Sequence, residues 1–184
     1  MKKILFVNAC VRECSRTLVL AKDYLKNADS LVSEIILEKE NLKPLDQKLL
    51  AKRDALIAEK KLDDAMFLNA KAFAEADEIV IAAPFWDLGF PALLKIYLEN
   101  IMVAGITFTY DNGIPKGLCK AKKLTYITTS GGPIFEDFGY SYIKSLAKNF
   151  FGVEDVWCRR AEKLDMYCIS DSELLEKATI TDVK

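Results

Sequence analysis

The segment that decides the fold is residues 78–89, with the sequence EIVIAAPFWDLG. The apolar run after Glu78 is typical of a strand that is buried on both faces of a sheet. Pro84 ends this strand, and the following loop carries two adjacent aromatic side chains, Phe85 and Trp86. Open α/β sheets bind ligands beyond the carboxyl ends of their strands. Because large aromatic side chains are costly to leave in water unless they cover something flat, this loop indicates a site for a planar ring.

The rest of the chain alternates strands with helices. The predicted strands are Lys3–Asn8 and residues 31–37, 79–83, 123–129 and 153–159; the predicted helices are residues 16–27, 62–75, 91–103 and 140–151, with a terminal helix starting at 172–177 and a loop with a short helix at 41–60. This alternation predicts a parallel sheet with helices on both faces. Five strands fit a flavodoxin-like three-layer α/β sandwich with strand order 2-1-3-4-5. Since no repeat or linker interrupts the pattern, we expect one domain over residues 1–184.

Composition excludes several classes of protein. The chain has 184 residues, of which 51% are apolar and 29% charged, as in soluble globular domains. A net charge of -1 and a pI near 5.7 argue against a nucleic-acid partner. No apolar run approaches the roughly 20 residues of a membrane span, so we expect no membrane partner either.

Histidine and cysteine usage narrows the chemistry further. The chain has no histidine, which removes His-based triads and His-ligated metals. An odd number of cysteines at scattered positions fits neither a disulfide framework nor a zinc site. The five cysteines are Cys10, Cys14, Cys119, Cys158 and Cys168. We therefore expect a cytoplasmic protein without a metal.

The predicted strand order brings three loops into one crevice, namely residues 9–17, 84–90 and 130–140. In the first loop, Ser15 lies at the expected start of a helix, where free N–H groups and the helix dipole favour phosphate. Thr17 adds a hydroxyl group, and Arg16 or Arg12 adds positive charge. The alternative is that Ser15 only caps the helix and that the arginines are solvated.

The other two loops supply the remaining parts of a ligand site. Gly131 and Gly132 follow the fourth strand and allow close backbone approach to a ligand, or form only a tight turn. Phe85 and Trp86 have an alternative interpretation as core aromatics, although the neighbouring Asp87 disfavours full burial of Trp86. A phosphate cradle, an apolar face and backbone donors are together what a flavin requires.

These motifs resemble those of the FMN-dependent NAD(P)H:quinone oxidoreductase and azoreductase family. The resemblance covers most of the chain from Lys3 to about residue 162, and is carried by the serine-containing motif at 15–17, the aromatic loop at 83–88 and the glycine pair at 129–132. Three positions depart from the family pattern. Cys10 stands where serine is common, and Trp86-Asp87 replaces a tyrosine–asparagine pair.

The resemblance implies FMN as cofactor and NADH or NADPH as electron donor. It implies ping-pong reduction of quinones, azo compounds or similar electrophiles, with the chemistry carried by FMN and with no catalytic side chain. It also implies a homodimer whose two subunits shape the pocket. The implied FMN-binding residues are Cys10, Ser15, Arg16 and Thr17 near the phosphate, Pro84, Phe85, Trp86, Asp87 and Leu88 along the flavin, and Thr129, Ser130, Gly131 and Gly132 at its far edge; Tyr110 and Phe135 are implied for the substrate pocket.

Two alternatives stay open at this point. Cys10-x5-Arg16-Thr17 is similar to the loop of low-molecular-weight phosphatases and arsenate reductases, with Cys10 as nucleophile and Arg16 as phosphate clamp. Glu13 would repel the anion in such a loop, and the loop has no Gly or Asn for the turn that a phosphate nest favours. The second alternative is a non-catalytic flavin-binding protein.

Overall fold

The structure is a computed structural model that describes residues 1–26, 28–166, 170, 173–177 and 180–183. A 3-10 turn, Ala65–Phe67, precedes α3, and a π-helical segment, Ala147–Phe151, follows α5. In chain order the elements are β1 (Lys3–Asn8), α1 (Arg16–Lys26), β2 (Leu31–Ile36), α2 (Gln47–Ala58), α3 (Leu68–Glu75), β3 (Glu78–Ala82), α4 (Ala92–Ile101), β4 (Phe108–Asp111), β5 (Ile114–Gly117), β6 (Lys123–Thr129), α5 (Phe138–Leu146), β7 (Asp155–Ala161), α6 (Leu174–Lys177) and β8 (Ile180–Val183).

The main sheet has the order β2-β1-β3-β6-β7-β8. Its first five strands are parallel, and they confirm the predicted order 2-1-3-4-5 of a flavodoxin-like sandwich. The short strand β8, which the sequence did not predict, pairs antiparallel with β7 at the edge. An antiparallel edge strand on a mostly parallel sheet is common in such folds.

β3 lies in the middle of the sheet and separates two hydrophobic cores. Ile79 and Ile81 face the core that α3, α4 and α5 cover, whereas Val80 and Ala82 face the core that α1 and α6 cover. The five residues of β3 are all buried. Burial on both faces explains why this strand is a continuous apolar run instead of an alternating one.

Two elements differ from the expectation. Residues 41–60 were predicted as a loop with a short helix, but α2 runs for 12 residues. It is capped by Asp46, whose carboxylate accepts from Leu49 N–H (2.7 Å). The helix has only a weak apolar stripe, and none of its residues is buried. The β4–β5 hairpin was missed, although Asn112 (φ 51°) and Gly113 (φ 81°) form the Asn-Gly turn that signals a hairpin.

Candidate functional site

Three loops meet at the carboxyl ends of β1, β3 and β6, where they enclose a cavity of about 260 Å³. Ala9 N–H donates to Ala82 O (2.8 Å), and Phe85 N–H donates to Thr129 O (3.0 Å). These bonds continue the strand pairing into the first residues of the loops. The order of the strands reverses between β1 and β3, which is the switch point where open α/β sheets bind ligands. The predicted convergence of the three loops is confirmed.

Most of the predicted site residues lie on this cavity. The cavity is also lined by Val11, Arg12, Cys14 and Asp165. Asp165 gave no signal in the sequence, because it follows β7 and lies far from the three loops along the chain. The predicted residues that line the cavity are Ser15, Arg16, Thr17, Pro84, Phe85, Trp86, Thr129, Ser130 and Gly131.

The start of α1 forms one end of the cavity. Ser15 is buried, and its Oγ accepts from Leu18 N–H (3.3 Å), while its carbonyl accepts from Val19 N–H (3.1 Å). The N–H groups of Arg16 and Thr17 therefore precede the first backbone hydrogen bond of the helix and have no acceptor within it. Backbone N–H groups at a helix start, with the positive end of the helix dipole, form an anion-binding position.

A buried hydroxyl pair joins this helix to the loop after β6. Thr17 Oγ1 and Thr129 Oγ1 lie 2.7 Å apart, and both side chains are buried. The pair connects two of the three loops behind the cavity wall. Thr17, which was predicted as a phosphate ligand, thus also fixes the position of the helix start.

Positive charge at this end of the cavity comes from Arg16, whose Nη2 donates to Asp165 Oδ1 (2.6 Å). The Arg16 side chain is 24% exposed and that of Asp165 is 70% exposed. A guanidinium has five N–H donors, of which this contact to Asp165 uses one. Arg12 also lines the cavity but is exposed, so Arg16 is the better-held cation of the two.

The other end of the cavity is a tight aromatic turn. Trp86 N–H donates to Gly89 O (3.2 Å) and Gly89 N–H donates to Trp86 O (2.8 Å). Between them, Asp87 (φ 50°) and Leu88 (φ 66°) are both left-handed, which is the geometry of a two-residue type I′ turn. Non-glycine residues rarely adopt this conformation, and its strain is retained mainly at functional sites.

The helix α5 supports this turn from below. Phe138 N–H donates to Leu88 O (3.0 Å), and a Cβ added at Gly139 would lie 3.2 Å from the Gly89 carbonyl. Trp86 is held by the turn with 37% of its surface exposed, so it is not a core aromatic. A fixed indole ring beside the cavity is available to cover a flat ligand.

Cys10 lies behind the cavity wall instead of on it. It is buried, its N–H donates to Asn8 Oδ1 (3.0 Å), and its Sγ donates to the Ala82 carbonyl (3.8 Å). Burial raises the pKa of the Cys10 thiol to about 11. A phosphatase nucleophile requires a thiolate at neutral pH, so this environment argues against the phosphatase alternative.

The raised pKa of Cys10 makes stability depend on pH. The thiol of the unfolded chain ionises near 9.0 and that of the folded chain near 11, so the folded state binds more protons between these values. Stability should therefore fall as pH rises through this window, by up to about 1.4 kcal/mol per pH unit from this thiol. Urea unfolding at pH 8, 9, 10 and 11 measures the slope. Cys10→Ser should reduce the slope, to which the buried Cys119 also contributes because its pKa is raised as well, and Cys14→Ser should not reduce it. Equal slopes in all three proteins would contradict the assignment.

The remaining predicted residues do not line the cavity of the single chain. Asp87, Leu88 and Gly132 border its loops without lining it. Tyr110 is exposed on β4, with its ring edge-on to Phe108 at 5.4 Å, and Phe135 is 88% exposed. The substrate-pocket role of Tyr110 and Phe135 therefore stays a prediction.

The thiols and acidic groups of the described residues show no metal centre. Cys10, Cys14 and Cys119 are free thiols, whereas Cys168 lies outside the described residues. Within the part of the chain that the structure describes, no three His, Cys, Asp or Glu side chains form a group that could hold a metal ion.

Comparison with known proteins places this geometry in a family. A sequence profile of the flavodoxin-like fold family, Flavodoxin_2, matches residues 2–179. The chain belongs to this family. The match spans β1 through α6 and includes the three loops that line the cavity.

Curated relatives within the family are flavin enzymes. The chain is 35% identical over 180 residues to FMN-dependent NADH:quinone oxidoreductase 2 of Clostridium acetobutylicum, covering 90% of this chain and 88% of the relative. It is 30% identical over 187 residues to an FMN-dependent NADH:quinone oxidoreductase of Clostridium perfringens, covering 96% and 94%. The predicted resemblance to this group is confirmed.

Solved structures agree with the sequence relatives. The fold matches an azoreductase from Bacillus anthracis with a TM-score of 0.79 and 25% identity, covering 95% of this chain and 93% of that chain. It also matches an FMN-dependent NADH-azoreductase from Bacillus anthracis in complex with FMN, with a TM-score of 0.76, 25% identity, and coverage of 96% and 93%.

Proposed function

We propose that the protein is an FMN-dependent NADH oxidoreductase that reduces quinones, azo compounds or related electrophiles. The observation that carries this proposal is the cavity at the switch point of the sheet. It places a helix start and the Arg16 cation at one end and the strained turn that holds Trp86 at the other. An anionic phosphate attached to a flat ring matches both ends.

The residues around the cavity fit FMN. Arg16, Ser15 and the N–H groups at the start of α1 would hold the phosphate. Phe85 and Trp86 would lie along the ring, and the backbone of Thr129 to Gly131 would border its edge. Cys10, Asp87, Leu88 and Gly132 would act from behind or beside these loops. Bound FMN would supply the redox chemistry between a nicotinamide and the second substrate.

The protein itself would bind and orient, with no general acid or base among the side chains. The aromatic turn would shield one side of the ring from water, and the fixed helix start would set the position of the phosphate. We infer that NADH and the acceptor use the same open face in turn. NADPH as an alternative donor belongs to this proposal, since the names of the relatives specify only NADH.

The absorbance spectrum of the purified protein tests the proposal. We expect bands of oxidised flavin that bleach when NADH is added without oxygen and return when p-benzoquinone or an azo dye is added. A protein that remains colourless after incubation with FMN would contradict the proposal. A protein that binds FMN but leaves NADH unconsumed would support the non-catalytic flavin-binding alternative instead.

We also propose that the chain forms a homodimer and works as one domain in the cytoplasm. Exposed apolar side chains on the segments that follow β3 and β6, namely Leu88, Phe135 and Phe138, support an interface that would complete the pocket. In that arrangement Tyr110 and Phe135 would reach the pocket across the interface. In the described ranges, no helix combines the length and apolar character needed to cross a membrane.

A further inference from the structure

The Arg16 guanidinium already has an anionic partner within the protein. Asp165 lines the same cavity and accepts from Arg16 Nη2 at 2.6 Å. The two residues are 149 positions apart in sequence, so only the fold brings them together. A carboxylate therefore occupies one side of the cation that is proposed to bind phosphate.

Two backbone hydrogen bonds and the buried side chain of Leu164 hold the backbone of Asp165 in this position. Leu164 N–H donates to Ser130 O (3.2 Å), Asp165 N–H donates to Gly131 O (3.0 Å), and the Leu164 side chain is completely buried. The segment after β7 is thus fixed on the loop after β6. The Asp165 carboxylate is carried by a held backbone, but its own side chain is 70% exposed.

Gly131 makes room for the carboxylate. A Cβ added at Gly131 would overlap Asp165 Oδ2 and its Cγ, so any residue with a side chain would displace the Asp165 carboxylate. The first glycine of the pair, which the sequence suggested for close approach to a ligand, is therefore approached by a side chain of the chain itself.

A phosphate at the start of α1 would meet this carboxylate. Two anions that share one guanidinium repel each other, and the repulsion is stronger near a protein surface than in bulk water. The Asp165 side chain is mostly exposed, so water can solvate its carboxylate if it leaves Arg16, whereas the N–H groups of α1 are fixed by the helix. The phosphate would therefore replace the carboxylate on Arg16.

We propose that Asp165 is a built-in competitor for the phosphate of the ligand. Its carboxylate binds Arg16 when no phosphate is bound and is displaced when phosphate binds. The competition therefore lowers the affinity of the protein for FMN. This inference rests on the proposed function for the identity of the flavin. The competition itself requires only that a phosphate binds at Arg16.

Flavin titrations of the cofactor-free protein test the competition. Asp165→Asn should tighten FMN binding about three- to tenfold, as expected when one exposed ion pair and one repulsion are removed. It should leave the affinity for riboflavin, which has no phosphate, unchanged. Glu136→Gln is the matched control, because it removes an exposed negative charge from a neighbouring loop without touching Arg16.

Two further measurements separate the possible outcomes. Combining Asp165→Asn with Arg16→Ala should reduce the gain in FMN affinity, because no guanidinium is left to compete for. Inorganic phosphate should raise the melting temperature of the Asp165→Asn protein more than that of the wild type, whether or not the protein takes a flavin. A positive phosphate result without flavin binding would overturn the proposed function and keep the competition.

The opposite results would overturn the competition. If Asp165 positions Arg16 for the phosphate, Asp165→Asn should weaken FMN binding. If the effect is only general charge, Glu136→Gln should match Asp165→Asn. Equal changes for FMN and riboflavin would also contradict the proposal, since the phosphate would then play no part in them.

Discussion

Replacing Arg16 with Ala is expected to weaken FMN binding by about 10- to 100-fold, the range for hydrogen bonds to a charged group. Arg16 is the cation held at the helix start, and its side chain is only 24% exposed. Loss of its donors leaves the phosphate with Ser15 and the N–H groups of α1. Fluorescence titration of the cofactor-free protein with FMN measures the change, and the affinity for riboflavin should stay the same.

Two variants serve as controls for Arg16. Arg12→Ala should have a smaller effect, because Arg12 lines the cavity as an exposed side chain whose charge is screened by solvent. Arg16→Lys should retain part of the affinity, since an ammonium keeps the charge but loses the planar donor geometry. An Arg16→Ala protein that retains FMN as well as the wild type would remove Arg16 from the phosphate site.

Replacing Gly117 with Ala is expected to destabilise the fold by about 3 kcal/mol, the upper part of the usual range for overpacking. A Cβ at Gly117 would overlap backbone atoms of Phe151 and Gly152, which cannot move like the end of a side chain. The hairpin and the end of the π-helical segment would have to separate. Thermal unfolding should show a decrease in Tm of about 6–12 °C for a protein of this size.

Gly132→Ala is the matched control for Gly117→Ala. A Cβ at Gly132 meets no atom within 4 Å, and its φ is not positive, so the same chemical change should leave Tm nearly unchanged. Equal melting temperatures for Gly117→Ala and the wild type would show that the hairpin does not pack against the π-helical segment in solution.

Strands and loop positions were accessible from the sequence because they depend on neighbouring residues. The fourth predicted strand agrees with β6 residue for residue, since apolar and β-branched residues there are bounded by polar ones. Pro84 and the glycine pair placed the loops at the ends of strands. α2 was underestimated because none of its residues is buried, and β8 because it is a short edge strand.

The site was predicted in part for the same reason. Ser15 and Arg16 were found because the start of a helix has a local signature, and Trp86 because a large aromatic in a loop is unusual. Cys10 could not be placed from the sequence, since a residue at the end of a strand points either into the core or into the crevice. Asp165 could not be found at all, because its role depends on a contact across 149 residues.

By itself, the sequence determined the alternation of strands and helices, the order of the sheet and the edge where the loops meet. These follow from apolar periodicity and turn chemistry, which act between neighbours in the chain. Only the tertiary structure decided which charges meet. Glu78 is buried beside Lys2 (2.5 Å), the Cys10 thiol stays protonated, and Asp165 reaches Arg16. Ion pairing and desolvation depend on distances between groups that are far apart in sequence, and only the folded chain fixes those distances.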